Sequence, residues 1–353
     1  NFGRLIINPG ADFVLAGSFA QNGTDSTELG ADITTSNGGV SFDRAILLTE
    51  SVTIDSSNQS GDLIFSDPID SEVASGVAEH NSLTLTSGTG VISFNGDLGA
   101  GLQGDQTLGD FTIITAGAVL FGGNDANDPS GPGTTGPMKM IATNGVIDIG
   151  VGDNVIAGGI VFNAESGLFL ITTTDDTVRF NGPVTLSSDL DIDTNATGIG
   201  GTVTFSADST IDSNTGESFA LTIDAGTQQV LFNNDLGQSN TLKTLTITQA
   251  DGGVSFGQAG TNQGPGSIGP VTTVATEGAI DIGVGSHVIL GGIQLNAGSG
   301  SLLITTANET IRFNGAVTMD SDVEINTNTA GVGGTVTFTS AATIDSQTGE
   351  HND

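Results

Sequence analysis

GAIDIGVGSHVILGGIQLNAGSGSLLITTANETIRFNGAVTMDSDVEINTNTAGVGGTVTFTSAATIDSQTGE, residues Gly278 to Glu350, is written twice in this chain. Gly145 to Glu217 carries the same text without a gap at an offset of 133 residues, and 46 of the 73 positions are identical. A period of this kind governs the whole fold, so it is read before anything else. The exchanges keep chemistry: Leu190 becomes Val323, Val178 becomes Ile311, Leu186 becomes Met319 and Ile199 becomes Val332. Positions that trade shape but stay apolar mark a buried face. A weaker third copy opens the chain, where Ile33 to Phe42 aligns with Ile304 to Phe313. The front half of the unit recurs as SLTLTSGTGVISFNGDLG (Ser82 to Gly99) and ALTIDAGTQQVLFNNDLG (Ala220 to Gly237). The chain therefore divides into a partial unit, residues 1–81, and two full units, 82–217 and 218–353.

Composition narrows the class. Gly is 54 of 353 residues without a Gly-X-Y period, which excludes collagen. A hydrophobic content of 36% supplies a core. Val, Ile and Thr are plentiful, turn residues punctuate every few positions, and no long stretch has a 3.6 period, so the chain reads as all-β with many short strands. Six basic residues face 40 acidic ones, for a net charge of −34, which argues against nucleic acid as a partner. There is no Cys and hence no disulfide framework. No apolar run reaches transmembrane length, so no membrane insertion is expected. The chain starts at Asn1 and stops where a new unit should begin, so it reads as a window on a longer tandem polypeptide.

Arg4 to Ile7, Asp12 to Gly17, Ile33 to Thr35, Val40 to Phe42, Ser51 to Asp55 and Leu63 to Phe65 read as strands. Asn95-Gly96, Asn181-Gly182 and Asn314-Gly315 each follow a Phe and turn the chain, because both residue types tolerate positive φ. In VRFNGPVTL (Val178 to Leu186), alternation points Val178 and Phe180 inward, Arg179 outward, and Val184 and Leu186 inward again. Strand, tight corner, strand, with one buried face throughout, is the pattern of a β-solenoid in which Phe180, Phe205, Phe232 and Phe256 stack along the axis. An array of β-sandwiches is the competing architecture, but the strands are short and Trp and Tyr are absent. Gly122 to Pro137 and its shorter copy, Gly257 to Pro270, read as surface loops.

In the phrases VRFNGPVTL, GGTVTFSADSTID and LTIDAGTQQVLFNNDLG the chain resembles the filamentous-haemagglutinin-like β-solenoid proteins of bacterial surfaces, including two-partner-secreted adhesins and large β-strand repeat proteins. The resemblance covers Ile33 to Asp353. It implies a right-handed parallel β-helix, secretion, and a role in attachment or as a fibrous coat at the cell surface. The chain departs from that pattern in carrying no N-terminal secretion domain and no Tyr or Trp.

Catalytic chemistry finds little material. His80, His287 and His351 are scattered, and His287 is Asn154 in the sister copy. Arg179 and Arg312 are the basic residues at matching positions, and they read as charge-balancing side chains on an acidic surface. The candidate site is a row of acids. Asp189, Asp191 and Asp193 alternate with Leu190 and Ile192; Asp322 and Glu324 alternate with Val323 and Ile325. Period two places the acids on an outer face about 7 Å apart along the strand. Such oxygen-rich rows suit calcium, although no Gly-Gly-x-Gly-x-Asp loop is present. A solvated outer face is the plainer reading. Thr-x-Thr pairs at Thr84/Thr86, Thr202/Thr204, Thr244/Thr246 and Thr335/Thr337 suggest outward rows of the kind that bind sugars or ice, though outward Thr is ordinary in strands. Asn22, Asn58, Asn195 and Asn308 fit Asn-x-Ser/Thr. Together these features predict a non-enzymatic, extracellular β-solenoid fibre or adhesin stalk whose partner is itself or adjoining repeat units along the fibre axis, with host or environmental glycans as the further candidates. A carbohydrate- or ice-binding solenoid is the alternative, and a polysaccharide-active β-helix enzyme the remotest one.

Overall fold

A strand as short as Val178–Phe180 buries two side chains and leaves both backbone edges unpaired, so it is stable only within a stack. The computed structural model, which describes residues 4–101, 105–122, 138–258 and 268–347, contains that stack. The chain is all-β and forms a parallel β-helix with three strands per coil. It makes two compact units, Asn1–Thr173 and Thr174–Asp353. The repeat boundaries near residues 81 and 217 fall inside these units.

In the first unit one face is built from Leu5–Ile7, Thr27–Leu29, Ile46–Leu48 and Ile69–Ser71, followed by Leu98 and then Met140–Thr143 and Leu168–Thr173. The next face holds Phe13–Leu15, Ile33–Thr35, Val52–Asp55, Leu83–Thr86, Phe111–Thr115 and Ile147–Ile149. The last holds Phe19–Gln21, Val40–Phe42, Leu63–Phe65, Val91–Phe94, Ala118–Phe121 and Ile160–Phe162. All of these pairings are parallel. The antiparallel pair Val73–Ala74 and Val77–Ala78 is a small hairpin inserted between coils.

The second unit repeats the plan. Its first face carries Val178, Val203, Val230, Val254, Ile293, Val317 and Ile344 one above another. Successive members lie 24 to 27 residues apart, except for a step of 39 between Val254 and Ile293. The second face runs Val184–Leu186, Ile211–Ser213, Leu236, Thr273–Thr276, Ser301–Thr306 and Asp322–Asn326. The third runs Asp189–Asp193, Leu221–Asp224, Leu245–Gln249, Ile280–Ile282, Ile311–Phe313 and Val336–Phe338.

Parallel register sets like against like through much of the core, with shifts at Leu85/Thr86, Ile223/Asp224 and Ile289/Ile293. Phe42, Phe65, Phe94, Phe121 and Phe162 form one column, with ring centroids 6.0, 5.1, 5.2 and 5.2 Å apart and planes within 11° of parallel. In the second unit Phe180, Phe205, Phe232 and Phe256 stack as expected, at 5.2, 5.4 and 5.2 Å. These rings are fully buried, and aromatic pairs with centroids at this distance add to the stabilisation from burial alone. Phe121 and Phe256 are buried; the loops expected after them, Gly122 to Pro137 and Gly257 to Pro270, fall mostly on residues 123–137 and 259–267, which lie outside the described residues.

The sequence repeat is not a whole number of coils. Inside the second unit Val178–Phe180 lies on the first face and its sequence copy Ile311–Phe313 on the third. Val203–Phe205 and Val336–Phe338 differ in the same way, and Ile211–Ser213 on the second face is copied by Ile344–Ser346 on the first. Counting Leu236 as a one-residue strand, fourteen strand positions separate Val203 from Val336, which is four coils and two faces. Within the second unit the later copy therefore falls one face short of five whole coils and lies on a different face from the earlier one.

Removing a ring from the middle of a column leaves a cavity that the coils above and below hold open. Phe94→Ala and Phe205→Ala should each cost about 3–5 kcal/mol in denaturant unfolding, whereas Thr204→Ala, on the outside of the same coil, should stay within about 0.5 kcal/mol of the parent.

Candidate functional site

The five acids of the candidate row do not share a surface. Asp189–Asp193 is a third-face strand and Asp322–Asn326 a second-face strand, so the displacement by one face separates Asp189, Asp191 and Asp193 from Asp322 and Glu324. Asp189 accepts the backbone N–H of Ala220 at 2.9 Å and lies 3.8 Å from the Lys243 ammonium. Asp191 stands opposite Thr222, and Asp193 opposite Asp224. Burial holds the Asp191 carboxyl above its usual range, and the charges of Asp193 and Asp224 push it the same way. Asp193 and Asp224 each spend an oxygen on a turn: Asp193 accepts the Asn195 N–H at 2.8 Å and Asp224 the Gly226 N–H at 3.0 Å. Asp322 pairs with Ser301, and Glu324 with Leu303. Among the described residues no three His, Cys, Asp or Glu side chains converge on one point.

Other sequence candidates are absorbed into the scaffold. Arg312 donates to Asp281 at 2.7 Å and to the carbonyls of Gly283 and Gly285, fastening the turn after Ile280–Ile282. His287 lies 2.7 Å from Asp251. His80 lies 2.9 Å from the Thr107 hydroxyl, which itself donates to Asp105. His351 falls outside the described residues. The Thr-x-Thr pairs are dispersed. Within the second unit Thr204 points out from the first face, while Thr246 and Thr337 point out from the third, in a column shared with Asp191, Asp281 and Arg312. In the first unit Thr53, Thr84 and Thr112 stack, and Asp148 follows them. Of the four Asn-x-Ser/Thr sites, Asn58 donates to the Ser36 carbonyl, Asn195 to Gln249, and Asn308 accepts from Val332 and Gly333. Asn22 is exposed.

One arrangement was not legible in the sequence. The DLG of FNGDLG and FNNDLG is a complete corner, Asp97-Leu98-Gly99 and Asp235-Leu236-Gly237. Asp97 accepts the backbone N–H groups of Lys139 and Met140 at 2.6 and 2.9 Å. Asp235, 7% exposed, accepts those of Thr272 and Thr273 at 2.6 and 2.8 Å. Leu98 and Leu236 are fully buried and each bridges the strands on either side. Gly99 and Gly237 both sit at φ +66°, where any Cβ would overlap the carbonyl of Ala142 or Ala275. The carboxylate thus holds the chain at the start of the next strand on the neighbouring coil, Met140–Thr143 or Thr273–Thr276. Asp175 and its copy Asn308 do comparable work at a smaller loop. Both have positive φ, and hydrogen bonds from the Thr197 hydroxyl and the Gly200 N–H hold the Asp175 carboxyl below its usual range.

No helix among the described residues is long and apolar enough to cross a membrane. No protein-family model, curated protein or solved structure matches the chain.

Asp70 gives the fold a pH dependence. Burial pushes its carboxyl up to about 6 against the ordinary 3.8, the Gly101 N–H opposes this, and Asp97 adds to the rise. A folded-state value above the unfolded one means that the native state binds the extra proton between these limits. Stability contributed by Asp70 therefore rises as pH falls from about 6 to about 4 and is lost at neutral pH. Asp70→Asn should raise stability at pH 7.5 by about 1–2 kcal/mol, after allowing for partial exposure, and should flatten the curve between pH 4 and 6. Melting curves across that range check it; an unaltered pH profile would show that Asp70 titrates normally.

Proposed function

We propose that this chain is a segment of an extracellular structural fibre or adhesin stalk at a microbial cell surface. The observation that carries the reading is the displacement by one face. A protein that binds a flat ligand, whether ice or a polysaccharide, gains from laying identical residues in one continuous row. Within the second unit the repeat turns the copied surface away from the earlier one, so duplication multiplies core without multiplying any face. What duplication preserves is the inward column of Phe, Val, Leu and Ile, together with the parallel ladders. Those are the elements that resist extension and bending, because every coil is hydrogen-bonded and packed to its neighbours. The outward acids keep such a body soluble and resist lateral collapse through like-charge repulsion.

The resemblance to filamentous-haemagglutinin-like proteins points the same way, and the polar, mixed columns of Asp, Thr and Arg fit a solvated outer surface. Negative-stain images of the native protein should show extended fibres. A glycan array and an ice-recrystallisation assay on the same material should show no binding. Specific retention of one glycan class, lost on substituting Thr84 and Thr112 but not Thr204, would replace the structural reading with a ligand-binding one.

A further inference from the structure

We infer that the fold confines spontaneous backbone modification to two of its Asn-Gly pairs, Asn22-Gly23 and Asn37-Gly38. The chain holds six such pairs, at Asn22, Asn37, Asn95, Asn144, Asn181 and Asn314. Glycine puts no side chain in the way of the reaction. The Gly nitrogen, on losing its proton, attacks the Asn Cγ. A bond forms between them, the bond from Cγ to the side-chain nitrogen breaks, and that nitrogen leaves as ammonia with the proton. Water then opens the five-membered imide at either carbonyl and leaves aspartate or isoaspartate. No electrons are exchanged, and the co-reactant is solvent. Three conditions must hold: access to water, an amide side chain free to swing onto the backbone, and a Gly N–H with no other engagement.

The first two coils meet all three. Asn22 is exposed in the connection from Phe19–Gln21 to Thr27–Leu29, and Asn37 in the corner between Ile33–Thr35 and Val40–Phe42. Among the described residues neither side chain has a hydrogen-bond partner, and neither Gly amide donates to a backbone carbonyl. The remaining pairs fail one or more conditions. Asn181 is 3% exposed; its Oδ1 accepts the Ser206 hydroxyl, and the N–H of Gly182 donates to the Ser209 hydroxyl at 3.1 Å. Asn314 is 4% exposed, and its amide donates to the carbonyls of Gly283 and His287. Asn95 is buried. At the fourth, the Gly145 N–H donates to the Gly109 carbonyl at 3.3 Å. The core that stacks the Phe columns therefore also silences the Asn-Gly corners beside them. Reaction at Asn22 or Asn37 adds a negative charge, and the isoaspartate form adds a methylene to the main chain at a corner.

The full chain, held at mildly alkaline pH and mapped by peptide mass spectrometry over time, tests this. Asn22 and Asn37 should convert at least about tenfold faster than Asn181 and Asn314, because reaction at buried pairs waits for local opening. In denaturant the six rates should converge. Gly23→Ala, at a backbone angle open to any residue, should slow conversion at Asn22 alone. Equal rates at all six pairs in the folded chain would overturn the inference. So would intact Asn22 and Asn37 in a folded chain whose denatured form reacts readily.

Discussion

Everything in this fold depends on each inward side chain being covered by its counterpart one coil away. A three-residue strand has no core of its own. It acquires one because parallel, in-register pairing sets Phe65 on Phe42 and Phe94 on Phe65, and so on through the column. Parallel pairing also satisfies both backbone edges of every interior strand, so hydrogen bonding and burial are secured by the same geometry. Coil length itself is free to vary, with 19 residues between Thr27 and Ile46 and 31 between Ile280 and Ile311, because the surplus is placed in the corners and the chain is then brought back into register. Asp97 and Asp235 each hold the returning chain by two backbone amides.

The same constraint explains why the repeat can ignore the coil. A unit of fourteen strand positions on a three-faced body returns on a different face. That is harmless only if the faces are interchangeable, and inward they are: Val, Ile, Leu and Phe occupy the buried positions of all three. Outward, the consequence is a surface on which Asp191, Thr222, Thr246, Asp281, Arg312 and Thr337 share one column. A fibre tolerates such heterogeneity; a flat recognition surface does not.

Alternation and the Asn-Gly corners made the strands around Val178–Leu186, and the inward direction of their side chains, legible from sequence. Phe19–Gln21 and Thr27–Leu29 were not, because Gln21 and Thr27 fill inward positions, 6% and 0% exposed, and break the apolar pattern. The acids at Asp189–Asp193 were correctly read as outward, but their separation from Asp322 and Glu324 was not visible. Face identity is a sum over all intervening coils, including those lengthened by loops. The capture by Asp97 was hidden for a related reason, since its targets Lys139 and Met140 lie some forty residues downstream.

The central claim, that strands stack in register while sequence copies change face, is tested most directly by spin-label distances in the second unit. The chain has no cysteine, so pairs of introduced cysteines label cleanly. Thr204 and Thr318 occupy one outward column through Leu231, Ser255 and Gln294. Four steps of about 4.8 Å place their backbones about 19 Å apart. Thr204→Cys with Thr318→Cys should give a narrow distribution near that value, and Thr222→Cys with Thr337→Cys should match it on the other face. A broad distribution for both pairs, or a Thr204 label aligned with Thr337 and remote from Thr318, would contradict the account.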